Sequence, residues 1–329
     1  MSIAQQVDQK EMRLAFGEML VTLGRENPNL FVLDADLNTS TRTDLFAAEF
    51  PRRFIQCGIA EQNMFGIAAG LATAGIVPFP CTFAAFAARR ACDQVAISIA
   101  YPRLNVKIAG AYPGLPTGKA GATHQSVEDL AVMRALPNML VVDPGDNLEL
   151  RQVMRAAMEY DGPVYFRVTR PAVPAIFDEG YRFEWGKAAQ LAEGGDLTLI
   201  GTGFMTAKCL EAARVLAEQG IGVRVLHMGC LKPIDREAIA CAAAETGAVV
   251  TAENHSVIGG LGSAVAEVLS EECPAPLVRV GVKDKFVECG EIDDLFWKYE
   301  TRVEDIAKAG EQALERKQAL RRRRSLGCG

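Results

Sequence analysis

The sequence predicts an α/β fold made of two consecutive domains, each built on a parallel β-sheet. The chain has 329 residues, which exceeds the size of one ordinary hydrophobic core. Near-continuous apolar segments alternate with amphipathic segments, the pattern of parallel strands that are covered by helices on both faces. This alternation is interrupted at residues 170–188, where prolines, mixed charge and few periodic apolar residues indicate a linker. We therefore expect a first domain at residues 1–172, a linker at 173–187 and a second domain at 188–329.

The first domain is expected to alternate strands and helices throughout. The segment after Glu61 has helical spacing and ends at Gly75, a common residue at a helix C-terminus. A glycine-rich loop is expected at residues 113–122. The predicted strands are 30–36, 53–59, 76–83, 105–111, 139–145 and 164–169, and the predicted helices are 61–75, 84–101, 126–136 and 147–160.

The second domain repeats the alternation and closes with a helix-rich tail. Its glycine-rich stretches, residues 200–205 and 258–264, lack the complete spacing of a nucleotide-binding loop, so tight turns and close helix packing are the better interpretation. The predicted strands are 196–203, 223–229, 248–254 and 277–282, and the predicted helices are 207–220, 235–247 and 262–272.

Composition and charge exclude several classes of protein. A net charge of −6 gives no reason to expect general affinity for nucleic acid. No apolar run reaches the roughly 20 residues of a membrane-spanning helix, and the N-terminus lacks a signal-peptide pattern. The nine cysteines form no CxxC pair, so we interpret them as buried, reduced thiols of a cytoplasmic protein, without a metal site on this chain.

Candidate functional residues follow the predicted strands, because ligands of open α/β sheets bind beyond the carboxyl ends of the strands. Each candidate also has an ordinary structural interpretation. Glu61 suits a helix first turn, where a carboxylate is stabilised by about 0.3–1 kcal/mol, or a buried site in which it shares a proton with a ligand nitrogen. His124 is either a packing residue or a catalytic one. Ser126 is the expected cap of the helix that follows, with Asp129 three residues on.

The aromatic and basic candidates are similarly ambiguous from the residues alone. Phe83 and Phe86 are three residues apart, so they are expected on one helix face, either in the core or as a stacking platform. Arg167 lies late in the predicted strand 164–169 and Arg170 follows it; they are either exposed arginines or an anion site.

Several motifs occur in one order and together resemble the C-terminal half of transketolases. They are GIAEQNMFGIAAGLATAG, TFAAF, GATHQSVEDLAVMRALPNM, GPVYFRVTRP and AENHSVIGGLGSAVAEVL, and they extend over nearly the whole chain. The resemblance implies a pyrimidine-binding domain followed by a transketolase C-terminal domain. It also implies a thiamine-diphosphate-dependent transferase that moves a two-carbon ketol unit from a ketose to an aldose.

The resemblance assigns roles to individual residues. Glu61 matches the glutamate that hydrogen-bonds N1′ of the aminopyrimidine and favours the tautomer that deprotonates the thiazolium. Phe86 matches the aromatic residue stacked on the aminopyrimidine, Phe83 one that flanks it, and Asp36 an acid near the cofactor. His124 matches a histidine that binds substrate oxygens and assists proton transfer.

The substrate residues agree with the family pattern in part. Arg13, Ser40 and Arg170 match residues that hold the phosphate end of a sugar phosphate. Tyr112 stands where the family has a histidine, and Ala120 where it has an aspartate that contacts a sugar hydroxyl. Because the loss of a matched polar group changes discrimination strongly, we expect an anionic sugar other than the ordinary pentose phosphates.

One part of the family pattern is missing from this sequence. Thiamine enzymes hold Mg²⁺ and the diphosphate through a GDG motif and a later asparagine, and no GDG occurs here. The chain is therefore expected to be one subunit of a split transketolase, inactive without an N-terminal, diphosphate-binding subunit that supplies the Mg²⁺ ligands. The expected assembly is a heterotetramer of two such pairs, with active sites at interfaces.

Three alternatives share some of these features. The β subunit of a 2-oxoacid dehydrogenase has the same domain plan and the glutamate, and a fragment similar to 1-deoxyxylulose-phosphate synthase carries GIAEQ and THQ. A non-catalytic subunit that regulates a partner is the third.

Overall fold

The computed structural model describes residues 7–325, with side chains described for residues 10–323. The outermost residues of the predicted first and second domains, 1–6 and 326–329, lie outside this range, as does Cys328. The strands are β1 Val7–Glu11, β2 Leu30–Asp34, β3 Phe54–Gln56, β4 Val77–Phe83, β5 Lys107–Ala111, β6 Leu140–Val142, β7 Val164–Val168, β8 Ala172–Pro174, β9 Ala189–Ala192, β10 Leu197–Gly201, β11 Val223–His227, β12 Cys230–Lys232, β13 Val249–Ser256 and β14 Leu277–Val282.

The helices alternate with these strands in both halves of the chain. The α-helices are α1 Met12–Glu26, α2 Asn38–Thr41, α3 Asp44–Glu49, α4 Glu61–Thr73, α5 Asp129–Ala135, α6 Asn147–Glu159, α7 Met205–Glu218, α8 Arg236–Thr246, α9 Leu261–Glu271, α10 Ile292–Lys298 and α11 Val303–Ser325.

The first half forms a seven-stranded sheet in the order β12-β6-β7-β5-β4-β2-β3. The six strands from residues 30–168 run parallel, and β12 is antiparallel. The second half forms a five-stranded sheet in the order β14-β13-β10-β11-β9, in which β9 is antiparallel. The prediction of two parallel-sheet α/β domains is confirmed. The sequence pattern did not predict that β12, which belongs to the second half of the chain, completes the first sheet.

The predicted helix at residues 84–101 has a different geometry. Phe83 ends β4, whereas Phe86 begins a short π-helix, Phe86–Arg90, and a second π-helix spans Gln94–Ala100. The two phenylalanines therefore do not share a helix face as expected, although their rings do stack. Wide helical turns of this kind are frequent at functional sites.

A buried ionic network joins the two domains. Arg167 on β7 is 1% exposed, and its guanidinium donates to both carboxylate oxygens of Asp129 at 2.7 and 2.5 Å. It also contacts Asp143 at 3.2 Å and the main-chain carbonyl of Asn254, in the second domain, at 3.2 Å. The expectation of an exposed Arg167 or an anion site is wrong, because a charge this deeply buried must be paired.

The same network includes the first turn of α5. Asp129 is the first residue of α5, and its carboxylate faces Arg167 and Tyr165. Glu128 occupies the N-cap position without a side-chain hydrogen bond, so the prediction that Ser126 caps this helix is wrong. The Ser126 hydroxyl is buried and has no hydrogen-bond partner among the residues that the structure describes.

The cysteines are only partly as expected. All eight in the described range are free. Cys81, Cys209 and Cys230 are buried as expected, whereas Cys241 and Cys289 are exposed, so the interpretation as buried thiols is wrong for these two. Among the described residues, no helix combines the length and apolar character needed to cross a bilayer.

His255 should make the fold sensitive to mild acid. Its Nδ1 lies 2.7 Å from the Ser256 carbonyl and its Nε2 lies 3.3 Å from the Ala131 backbone nitrogen, so the neutral ring satisfies both contacts. Burial, with the Arg167 charge nearby, lowers the pKa of His255 from 6.5 to about 4. Because the folded pKa is depressed, this stabilisation is present above pH 6.5 and is lost as the pH falls toward 4.

Urea unfolding between about pH 7 and 4 tests this, with His255→Asn as the comparison because asparagine keeps a donor for the Ser256 carbonyl. The wild type should lose more unfolding free energy on acidification than the variant. Burial raises the pKa of the neighbouring Glu253 to about 7, which acts with the opposite sign, but Glu253 is present in both proteins. The prediction is contradicted if the unfolding free energies of the wild type and His255→Asn change equally with pH.

Candidate active site

The candidate residues meet at the carboxyl edge of the seven-stranded sheet. The loops after β2, β3, β4, β5 and β7 all emerge there because these strands are parallel. Glu61, Phe83, Tyr112 and Arg170 lie at the end of four of these strands or follow them closely.

Glu61 is a buried carboxylate at the start of α4. A turn at Gly58, with φ +67°, follows β3 and leads to Glu61 at the first helical position, where it is 1% exposed. The helix N-terminus favours a negative charge at this position. Burial of the charge nevertheless requires a partner.

That partner is Arg90, 29 residues further along the chain. Its Nη1 donates to both Glu61 carboxylate oxygens, at 2.9 and 2.8 Å. The Arg90 guanidinium carbon also lies 4.6 Å from the centre of the Phe86 ring. The Arg90 side chain is 48% exposed, so the ion pair joins a buried anion to a cation at the surface. The sequence showed no basic residue near Glu61 because the two partners lie on separate elements of the fold.

Four aromatic rings form a cluster beside this ion pair. Phe83 stacks on Tyr112, with ring centres 4.6 Å apart, and on Phe86, at 5.7 Å. His124 approaches Phe86 and Phe83 edge-on at 5.2 and 5.9 Å. Its Nδ1 is 2.7 Å from the Thr123 hydroxyl. The structure thus brings Glu61, the two phenylalanines and His124 into one neighbourhood through Arg90 and Phe86.

Tyr112 lies next to both basic candidates, Arg13 and Arg170. Its backbone is in the left-handed region, with φ +57°, and its hydroxyl donates to the Ser40 carbonyl at 2.8 Å. Arg13 donates to the same hydroxyl at 2.8 Å. The guanidinium carbons of Arg13 and Arg170 lie 6.0 and 5.4 Å from the Tyr112 ring centre. Two guanidinium groups therefore lie near one aromatic ring, and that of Arg13 is also paired with Glu11 at 2.8 Å. This arrangement suits a ligand with an anionic end.

Asp36 is less closely connected with these groups. It is exposed, has φ +64°, and its backbone N–H donates to the Gln56 side chain at 2.8 Å. The buried acid of this loop is Asp34, which accepts from the Leu37 N–H and from the Thr41 hydroxyl. Burial raises the pKa of Asp34, and these hydrogen bonds oppose that shift. Asp34 shapes the loop that presents Asp36 and the Ser40 carbonyl.

The loop that carries His124 is held by Arg89. Its guanidinium donates to the Ala122 carbonyl at 3.2 Å and to the Gln125 carbonyl at 2.8 Å, and it also forms an ion pair with Glu128. The adjacent Arg89 and Arg90 thus bind different parts of the site. A pair of adjacent arginines in the mostly apolar segment 84–101 was the signal in the sequence that could have identified them.

The second domain forms hydrogen bonds with the same loop through Asn254. The Asn254 side chain accepts from the Leu115 N–H at 2.9 Å and donates to the Pro113 carbonyl at 3.0 Å. Gly114, with φ +63°, lies so close that a Cβ there would be 2.2 Å from the Asn254 Oδ1 atom. Only glycine fits this approach, and its sequence context gave no indication of a partner so far along the chain.

Chemically, the cluster offers a flat aromatic surface, a buried proton acceptor, a histidine and two guanidinium groups. Such a set suits a planar heteroaromatic ring together with an anionic ligand. Among the residues that the structure describes, no group of three or more His, Cys, Asp or Glu side chains could hold a metal ion.

Comparisons with known proteins cover nearly the whole chain. Residues 8–175 match the family described as transketolase, pyrimidine binding domain, and residues 186–306 match transketolase, C-terminal domain. The 6-deoxy-6-sulfo-D-fructose transketolase subunit SqwH of Clostridium sp. (strain MSTE9) is 46% identical over 93% of this chain and 95% of its own length.

Two further relatives are similarly complete. A subunit of the apulose-4-phosphate transketolase of Phocaeicola vulgatus is 41% identical over 90% of this chain and 95% of its own. A solved structure described as a split gene transketolase, inactive beta4 tetramer, is 53% identical with a TM-score of 0.86, covering 92% of this chain and 98% of that one.

Proposed function

The chain belongs to the transketolase family, and on that premise we propose that it is the pyrimidine-binding subunit of a two-chain, thiamine-diphosphate-dependent transketolase. The observation that carries the proposal is the position of Glu61, a buried carboxylate at the carboxyl edge of the sheet that Arg90 connects to the Phe86 ring. Relatives named as transketolase subunits match this chain along almost all of their length. These matches support a separate partner chain.

The residues present fit the pyrimidine end of thiamine diphosphate. An aminopyrimidine needs a flat apolar surface and a carboxylate that can share a proton with a ring nitrogen, and Phe86 and Glu61 provide these two groups. Asp36, on the exposed loop after β2, is the acid we assign to the border of the cofactor site. Because this sequence lacks the GDG motif, we assign the Mg²⁺ ligands and the diphosphate site to the partner chain.

The working unit that we propose is a heterotetramer of two such pairs. The outer face of α4 carries Gly66 and Gly70, where a Cβ would meet nothing within 4 Å. Exposed glycines within a helix destabilise it by about 1 kcal/mol each relative to alanine, so a close protein contact would account for them. Ile59 and Ile97, 76% and 61% exposed, supply apolar surface on neighbouring segments. The related structure is named as a tetramer, which also supports self-association.

In the proposed reaction, bound thiamine diphosphate supplies the nucleophilic carbon that carries a two-carbon ketol unit from a ketose to an aldose. Glu61 holds a proton at the aminopyrimidine nitrogen, and the buried surroundings keep that proton from bulk water. Phe86 and Phe83 orient the ring. His124 binds the substrate oxygens and moves a proton to or from them, while Arg89 fixes its loop.

We further propose that the sugar substrates carry an anionic end. Arg13 and Arg170 flank Tyr112, whose hydroxyl is fixed by the Ser40 carbonyl. Tyr112 and the exposed Ala120 replace a histidine and an aspartate of the family pattern, which alters the polar contacts to sugar hydroxyls. The names of the relatives from Clostridium and Phocaeicola include a sulfonated and a phosphorylated sugar, both anionic.

Reconstitution tests the proposed function. The purified chain is mixed with a GDG-containing partner subunit, thiamine diphosphate and Mg²⁺, and assayed against ketose and aldose phosphates, sulfonates and uncharged sugars. Two-carbon transfer is expected from the mixture and not from either chain alone. Absence of transfer across the panel would contradict the proposal, and pyruvate-dependent release of CO₂ would favour a 2-oxoacid decarboxylating enzyme instead.

Arg170→Met should reduce kcat/KM for an anionic sugar by about 10–100-fold, because a charge-assisted contact contributes about 1.5–3 kcal/mol. The effect on an uncharged sugar of the same length should be small. Competing both sugars in one assay measures the ratio directly. Arg182→Met, an exposed arginine on the linker, is the matched control. An equal loss for both sugars would show that Arg170 supports the fold and does not select charge.

A further inference from the structure

Arg90 contacts both groups that the aminopyrimidine is expected to use. We propose that the Arg90 side chain occupies the pyrimidine position in the cofactor-free subunit and acts as a latch that the cofactor must displace. The inference rests on the proposed function, since it assigns Glu61 and Phe86 to the pyrimidine.

The geometry of the contact supports the proposal that Arg90 takes the place of the pyrimidine. A single nitrogen, Nη1, donates to both Glu61 carboxylate oxygens at 2.9 and 2.8 Å, so each oxygen already accepts a hydrogen bond. The guanidinium carbon is 4.6 Å from the Phe86 ring centre, within the range of a cation–π contact. A guanidinium and an aminopyrimidine are both flat groups with N–H donors. Arg90 in this position and a pyrimidine that is stacked on Phe86 and bonded to Glu61 would compete for the same partners.

The side chain is placed so that it can leave. Glu61 is 1% exposed, whereas the Arg90 side chain is 48% exposed, so the guanidinium can move into water without being buried elsewhere. Arg89, its neighbour, holds the Ala122 and Gln125 carbonyls and Glu128. These contacts fix the backbone of the π-helical turn, so displacement requires a rotation of the Arg90 side chain and no movement of the turn.

The latch has a physical purpose in a chain that contains half of an active site. Without a partner and cofactor, Glu61 would be a buried charge with no compensation, which is strongly unfavourable. Arg90 compensates that charge in the free subunit. The apparent affinity for the cofactor is then reduced by the fraction of molecules in which the latch is open. Arg90 therefore sets how tightly the pyrimidine binds before assembly is complete.

The test uses the full-length chain alone, with 4-amino-5-hydroxymethyl-2-methylpyrimidine as the probe, because this fragment needs neither Mg²⁺ nor a diphosphate site. Arg90→Met removes the charge and keeps a similar length. We expect the probe to bind Arg90→Met about 10-fold more tightly than the wild type, by NMR titration, which corresponds to ~1.4 kcal/mol. Arg90→Lys, which keeps a charge without the planar group, should lie between them. Arg25→Met, which breaks the exposed pair with Glu49, is the control and should leave binding unchanged.

The outcomes separate this inference from the proposed function. Equal or weaker binding to Arg90→Met than to the wild type would overturn the latch, and weaker binding would make Arg90 a residue that positions Glu61. Glu61→Ala in the Arg90→Met background should remove the gain, and a gain that persists would also overturn the latch. The assembled complex is also titrated with thiamine diphosphate and Mg²⁺, once with the wild-type chain and once with Arg90→Met. If neither complex binds the cofactor, the proposed function fails, and the latch fails with it.

Discussion

Replacing Glu61 by alanine should reduce two-carbon transfer by the assembled complex about 10²–10⁴-fold, the range that general acid–base groups contribute. The expected loss is in kcat, because the carboxylate is proposed to hold a proton at the aminopyrimidine nitrogen of the bound cofactor. Binding of the ring should be affected less, because the Phe86 surface is retained. Glu61→Gln, which keeps the shape and removes the charge, should lose nearly as much. Steady-state assays with the reconstituted complex measure both variants.

The fold should survive the substitution. The side chain of Arg90, the partner of Glu61, is 48% exposed. Loss of the ion pair therefore leaves its positive charge hydrated and not buried without a partner. Circular dichroism and the thermal midpoint of the isolated chain test this point. Gln62→Ala, at the next and exposed position of α4, is the matched control and should keep its activity. Unchanged turnover in Glu61→Ala would refute a catalytic role and favour a regulatory subunit.

Asp129→Ala should have the largest effect on stability, lowering the free energy of unfolding by about 3–5 kcal/mol. Arg167 is fully buried and would keep only Asp143 as a charged partner within the described residues, at 3.2 Å. Tyr165 would also lose the carboxylate that accepts its hydroxyl hydrogen bond at 2.6 Å. Burial raises the pKa of Asp129, but the Arg167 guanidinium outweighs burial and holds the pKa below its ordinary value.

Urea unfolding measures the effect, and two further variants locate its cause. Glu49→Ala breaks the exposed pair with Arg25 and should leave the free energy of unfolding nearly unchanged. Asp129→Ala combined with Arg167→Met should be more stable than Asp129→Ala alone, because the uncompensated guanidinium is gone. If Asp129→Ala were no less stable than Glu49→Ala, the network would not support the domain junction.

The buried network also connects stability with the candidate site. Arg167 contacts the Asn254 carbonyl, and the Asn254 side chain holds Leu115 and Pro113 in the loop that leads to His124. The second domain therefore supports the loop that carries His124, for which we propose a catalytic role. Loss of Asp129 is expected to loosen that loop before the sheets unfold.

The sequence by itself determined the order of strands and helices and the residues at the strand ends. Local periodicity carries this information, because a strand buried on both faces reads as an apolar run and a covering helix as an amphipathic one. Glu61, Tyr112 and Arg170 could therefore be placed at one edge of the sheet from the sequence pattern alone. The family resemblance added the expectation that Glu61 faces a cofactor.

Only the tertiary structure decided which of these residues touch. Arg90 reaches Glu61 across 29 residues, Arg167 reaches Asp129 across 38, and Asn254 reaches Leu115 across 139. Such pairings depend on how whole elements pack, and nothing in the spacing of a local segment encodes them. For the same reason Arg167 could not be distinguished from an exposed arginine, and β12 was not expected in the first sheet. The burial of a charge is a property of the assembled fold, because it depends on the partners that long-range packing brings within hydrogen-bonding distance.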